Sequence, residues 1–397
     1  MKIKTSLIII ALLAIIAIVG ALWFVTQTTD EGRGSEERTG IFGTLFPFNF
    51  GGGGQQNEVG GDETPLEDER PVPRLRLVSE TPTSSGFLYE NEAGTSTVRF
   101  VERGTGHVFE TSTENMTVTR ISNTTIPGIQ EVLWENKDRF IIRYLEENRI
   151  QNFYTQLAEE QRDQALGGFF IDSWDRAVLD PQKTSLFSIT ESPNGSTGSV
   201  SRADGTNKRT VFSSPLRSWI PLQSESSLYV QTAPAPGIPG FLYEVRGGAL
   251  IKVLGDVPGL HSVVSPSGRY VLFSTGNNSL TLSTLDTETG EVFEAPLDTV
   301  ATKCVFVSEA PVVVFCGVPE TYPSGAYPND WLLGRIHFSD SLWLLEPTSG
   351  VATLLATPGD DVSAVIDVWQ PATNASGEYV GFINKNDLSY WLLRIAP

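Results

Sequence analysis

Carboxylates are the one chemically capable residue type that this chain carries in abundance, with 47 Asp and Glu among 397 residues. Two of them facing each other across a cleft could run acid and base chemistry on a glycosidic bond. Asp172, Asp175, Asp330 and Asp367 sit near the ends of expected strands, where a central cleft would gather them. Their spacing along the chain pairs none of them, and solvated or turn-capping acids are the competing reading. The histidines offer less. His107 follows a hairpin turn, His261 opens a strand and His337 lies in an insertion, and no two share the spacing of metal ligands. The chain has no GxSxG elbow, no HExxH, no GxxxxGKS/T and no strand-linked GxGxxG. No catalytic residue, metal site or cofactor is therefore expected.

Two further groups invite chemistry of a different kind. Cys304 and Cys316 bracket "CVFVSEAPVVVFC", two short strands around a turn, which would bring the sulfurs close across a hairpin. A disulfide and a pair of buried thiols both fit this spacing. Beyond Cys316 comes "GVPETYPSGAYPNDWLLGRIHFSD", in which Tyr322, Tyr327, Trp331, His337 and Phe338 interleave with prolines. Long loops on rigid scaffolds carry binding, and Tyr and Trp anchor interfaces. Tyr322, Tyr327, Asp330 and Trp331 are the expected binding residues, against the alternative that so apolar an insertion folds over and caps the core.

The elements that position these residues form a repeat. The first strongly apolar residue after each turn falls at Val98, Phe140, Leu186, Leu228, Tyr270, Val312 and Tyr379, so the gaps are 42, 46, 42, 42, 42 and 67. The last gap holds the insertion. A period in the low forties built of short strands is the signature of propeller blades with four strands each. In the central unit the strands are "HSVVS", "RYVLFS", "LTLSTLD" and "EVFEAP". The final unit stops one strand short at Pro397, while "RLRLVSETP" near residue 74 is a strand without a blade. Pairing the two would close the ring and cover its free edges. The expected fold is thus all-β: a seven-bladed propeller of four-stranded blades closed by an N-terminal strand.

Ahead of the ring, Leu7 to Val25 is a run of nineteen residues without a charge. As a helix it would span about 28 Å, close to a bilayer core. Lys2 and Lys4 hold the short tail in the cytoplasm, so the propeller is expected outside the cell membrane. A cleaved signal peptide is the rival reading, with Val19 and Ala21 as small cleavage-site residues. The expected organisation is a cytoplasmic tail and transmembrane anchor over 1–25, a flexible linker over 26–70 and the propeller over 71–397. The linker contains four consecutive glycines, 51–54, and a cluster of phenylalanines. Beyond Lys4 the chain carries 26 basic and 47 acidic residues, a net charge of −21 that excludes nucleic acid as a natural partner.

The turn Ser265, Pro266, Ser267 and Gly268 before an apolar strand resembles the "SPDG" turn of TolB-like and WD-repeat-like β-propellers. The resemblance covers roughly residues 74–397. Ser267 stands where that group has Asp, and no unit ends in Trp-Asp. The anchor together with "NTTIPGIQEVLW", "YPNDWLLG" and "FSDSLWLL" is similar to membrane-anchored propellers of uncultured small-genome bacteria, which implies a bacterial surface location and no particular activity. The expected function is a membrane-anchored, extracytoplasmic, non-enzymatic binding or scaffold module for an unknown protein or envelope partner. The alternative is an extracytoplasmic carbohydrate-active hydrolase or lyase using carboxylates in the central cleft.

Overall fold

The computed structural model describes residues 71–157, 166–276 and 279–395. The expected anchor and linker lie outside the described residues. The chain divides into two units, Met1–Leu66 and Glu67–Pro397. Among the described residues no helix is long and apolar enough to cross a membrane.

The second unit contains seven four-stranded antiparallel sheets, each a blade. The innermost strands are Thr83–Glu90, Ile129–Trp134, Arg176–Leu179, Trp219–Gln223, His261–Val264, Cys304–Glu309 and Val368–Thr373. In the fifth blade, His261–Val264 pairs with Tyr270–Gly276, register His261 to Ser274. The turn between them is set by Ser265 N donating to Tyr270 O at 2.8 Å and Gly268 N to Ser265 O at 2.9 Å. Gly268 sits at φ 83°, a left-handed conformation that costs glycine nothing.

The second strands are apolar on both sides because each blade packs against two neighbours. Tyr270 and Leu272 join Phe306, Val314 and Leu345 of the sixth blade, whereas Val271 and Phe273 join Tyr229 and Leu242 of the fourth. A strand buried on both faces reads as a continuous apolar run, unlike the half-polar alternation of a one-sided sheet. The core is accordingly a series of layers between blades.

Antiparallel order sorts the loops onto two faces. Inner strands begin on one face, termed the front, together with the blade-to-blade connections and the loops between second and third strands. The other turns emerge on the back. The ring closes with Leu75–Ser79 as fourth strand of the seventh blade, pairing Leu75 with Leu393 and Leu77 with Trp391. Leu75 and Val78 are buried while Leu77 is half-buried, since a bulge between Leu77 and Ser79 turns Val78 inward. Arg74 reinforces the seam on the back, donating to Arg394 O at 3.0 Å, Ile395 O at 2.9 Å and Leu355 O at 3.2 Å. In the sixth blade Cys304 lies opposite Cys316 and the two form a disulfide.

Candidate functional site

The insertion joins the second strand of the sixth blade, Val312–Pro319, to the third, Asp340–Glu346, and so lies on the front. It carries one short helix, Asn329–Leu332, named α1. Trp331 is 0% exposed and Tyr327 1%, and both rings stack near Phe338, at 6.3 and 6.0 Å between centroids. With Leu280 and Val300 they make a small core of their own.

Beneath this aromatic layer three charged side chains are fully buried: Lys303, Asp340 and Asp367, each 0% exposed at the side chain. Lys303 precedes the inner strand of the sixth blade, Asp367 precedes that of the seventh, and Asp340 opens the third strand of the sixth. The Lys303 ammonium lies 2.8 Å from Asp340 Oδ2 and 2.5 Å from Asp367 Oδ1. It also faces the rings of Phe338 and Trp331, at 4.5 and 5.1 Å. Asp367 further accepts from Trp331 Nε1 at 2.9 Å and from Phe338 N at 3.1 Å. Asp340 Oδ2 accepts Val368 N at 2.7 Å, and Oδ1 has no partner. Lys385 completes the group by donating to Trp331 O at 2.7 Å. Burial lowers its pKa and the Lys303 charge adds to that, while Asp367 acts against both. The cluster fastens the insertion to two blades.

Burial pushes Asp340 up to about 6, against the pull of Lys303 and with help from Asp367. A carboxyl whose folded value is raised contributes most at low pH, and that contribution is lost as pH climbs from about 4 through about 6. The expected cost to stability is on the order of 2 kcal/mol. Urea unfolding at about pH 4.5 and about pH 7.5 tests it, with Asp340→Asn predicted to gain on the parent as pH rises. An identical pH slope for both chains would reject the assignment.

The four expected binding residues do not form one surface. Tyr327 and Trp331 are core: the Trp331 ring covers Lys303 and bonds Asp367, and the Tyr327 ring stacks on Phe338. Asp330 is spent within the loop, accepting Ala326 N at 2.8 Å and Arg335 Nη1 at 3.0 Å. These contacts hold its carboxyl below the usual range. Only Tyr322 presents a ring to solvent, at 46% exposed, with its hydroxyl donating to Asp298 O at 2.6 Å. Leu332 and Leu333, at the end of the short helix, are exposed. Emptying Tyr327 or Trp331 therefore removes packed volume and not a contact surface.

Sequence spacing alone does not locate the axial mouth. On the front, Glu131, Arg143, Asp175, Arg176 and Glu191 line a cavity of about 520 Å³. Glu131 is held by Arg143 at 2.6 Å, and Glu191 by Arg217 at 3.2 Å and Ser218 N at 2.8 Å. Asp175 Oδ2 accepts Glu191 N at 2.6 Å. Arg176 is exposed at the start of the third blade's inner strand. Burial, with a smaller push from that guanidinium, holds the buried His261 imidazole down at about 4, and its Nδ1 has no partner. Of the acids singled out by position, Asp175 thus reaches the mouth, Asp367 the buried cluster, and Asp172 an exposed pairing with Lys208 at 3.0 Å. His107 contacts Thr125 and His337 is exposed, well apart in the chain from His261. Among the described residues no group of three or more His, Cys, Asp or Glu could hold a metal ion.

The front-face loops and the strand ends beside them expose Leu145, Leu216, Ile238, Tyr322, Leu333 and Val365. On the back, Met116 is exposed in a turn, and Val118, Val292 and Val351 are exposed at the strand ends beside the turns.

No protein-family model matches the chain. No curated protein matches it in sequence. Solved structures share the fold. One described as YCF48 bound to D1 peptide is 10% identical, with a TM-score of 0.51 over 82% of this chain and 98% of that one. An oligogalacturonate lyase in complex with manganese is 11% identical, with a TM-score of 0.48 over 79% of this chain and 97% of that one. A chain of the mitotic checkpoint complex is 10% identical, at 0.48 over 86% and 100%. At its identity, the first of these speaks to the fold alone.

Proposed function

We propose that this chain is a membrane-anchored, extracytoplasmic binding module whose front face takes a protein or envelope partner. The observation that carries the reading is the set of large apolar side chains exposed on front-face loops, Leu216, Ile238, Tyr322, Leu333 and Val365, on the same face as a charged mouth. Partner-binding surfaces combine such apolar contacts with a polar region that fixes orientation. Tyr322 belongs to this surface, and Arg176 is its cation. That a propeller of the same fold was solved with a peptide bound is in keeping with this reading. The uncharged run Leu7 to Val25 supports the anchor and the outside location.

The alternative, a carbohydrate-active hydrolase or lyase, draws on the three carboxylates at the mouth. Each of them is already engaged by an arginine or a backbone amide. A general acid needs a proton it can give to substrate, which favours the binding reading.

Photo-crosslinking residues placed at Leu216 and Leu333 in the full chain, in its own membrane, should capture one common partner, and Ile238→Asp should remove the product. The same probe at Met116 should capture none. The intact mass of the membrane-extracted chain reports in the same experiment whether residues 1–25 are retained. Equal products from both faces, or none from the front, would overturn the proposal.

A further inference from the structure

Three back-face turns are built alike. In each, the first residue's N–H donates to the residue five on, and the fourth residue's N–H donates back to the first. The pairs are Ser265 with Tyr270 and Gly268, Asn374 with Tyr379 and Gly377, and Asp180 with Ser185 and Lys183. The fourth residue is left-handed every time, with φ of 83° at Gly268, 70° at Gly377 and 61° at Lys183. That conformation is free for glycine and costs a side-chain-bearing residue about 1 kcal/mol. The third blade holds a lysine where its siblings hold glycine, so the side chain persists against local strain.

That side chain borders two cavities, one of them beside Glu135 and Asp204 between the second and third blades. Lys183 lines an axial cavity of about 320 Å³ with Phe87, Leu88, Val132, Trp134 and Gln370. Gln370 is also left-handed, at φ 50°, and strain of this kind gathers at functional positions. Among the described residues the Lys183 ammonium has no hydrogen bond or ion pair. The carboxylate of its own turn, Asp180, is taken by Thr184 N at 2.6 Å, Ser185 N at 3.0 Å and Thr184 Oγ1 at 2.8 Å. The other charged group in the wall, Glu131, is held by Arg143. An unpaired ammonium and no spare acceptor charge therefore meet in a cavity walled by both apolar and polar side chains. Burial lowers the Lys183 pKa, and Asp180 opposes this.

We propose that the axial cavity binds a carboxylate carried on an apolar stem, with the Lys183 ammonium as its donor. A charge-assisted pair in a poorly hydrated site is stronger than on the surface, and the apolar part of the wall takes the stem. The volume suits a ligand of on the order of ten heavy atoms. The carboxylate could belong to a free small acid or to the C-terminus of a peptide.

Isothermal titration of the full chain with octanoate, 3-phenylpropionate, their amides, and acetyl-Leu-Val-Phe with a free or amidated terminus tests this. At least one acid should bind with a Kd below about 1 mM, and its amide at least about tenfold more weakly. Binding by the tripeptide acid alone assigns the carboxylate to a chain terminus, and binding by the small acids assigns it to a free ligand. Lys183→Met should lose at least about tenfold in affinity. Lys183→Gly should lose it too while melting no lower than the parent, because glycine meets the φ of this turn. No acid binding up to about 10 mM, equal affinity for acid and amide, or unchanged binding by Lys183→Met would each overturn the proposal.

Discussion

A chain that begins at Thr83 should fail to fold cooperatively, or should melt at least about 10 °C below one that begins at Pro71. The twelve residues removed are few, and the loss comes from what they cover. Leu75 and Val78 are buried, and burying each contributes about 1.5–3 kcal/mol. Leu75 packs with Trp391, Leu393 and Val380, so its removal opens the layer between the sixth and seventh blades. Arg76 is buried as well, donating to Ser112 O at 2.6 Å and to Asn115 O, so the first blade loses a partner too. The strand Tyr390–Arg394 would also be left with an unpaired edge, which invites association between chains. Set against a total stability of about 5–15 kcal/mol, these losses are decisive. Thermal melting followed by circular dichroism, with size-exclusion chromatography for association, measures them. Coincident melts of the two chains would mean that the ring does not depend on its seam.

The second large effect is expected at Asp367. Asp367→Ala should destabilise the chain by about 3–5 kcal/mol, the usual cost of removing one partner from a buried pair. The loss is more than one ion pair. Lys303 would keep only Asp340, whose carboxyl burial already drives toward its neutral form. Trp331 Nε1 and Phe338 N would both lose their acceptor, and buried donors left unmade are costly. Asp367→Asn retains the volume and one acceptor and should cost less than the alanine. Urea unfolding near neutral pH orders the three chains. A loss below about 1 kcal/mol for the alanine would show that the group is solvated and that the insertion is held by its aromatics alone.

The architecture was readable because a repeat announces itself along the chain. The spacing from Val98 to Val312, the missing last strand and the spare one near residue 74 each follow from the local rule that a blade needs four strands. The bulge that turned Val78 inward in place of Leu77 was not readable, since a shifted register leaves no mark in an apolar run. The Lys303 cluster was hidden for another reason. Asp367 stood out as an acid at a strand start, but its partner lies 64 residues away in another blade, and spacing carries nothing across blades. Without that seat, the aromatic insertion reads equally well as a cap or as a contact surface. Lys183 did leave a trace: laid on "SPSG", the turn "DPQK" puts a lysine where glycine belongs.

The seam also decides how the ring bears force. The described chain enters at Pro71 on the back, and Leu75–Ser79 runs from back to front beside Tyr390–Arg394. Tension drawn from residue 71 against a load held at the front acts along this strand. Its hydrogen bonds are then sheared together and not peeled one after another, and the three Arg74 contacts at the pulled end must break with them. The join between the two ends of the chain, which looks like the weakest point of a closed ring, is loaded in its strongest direction.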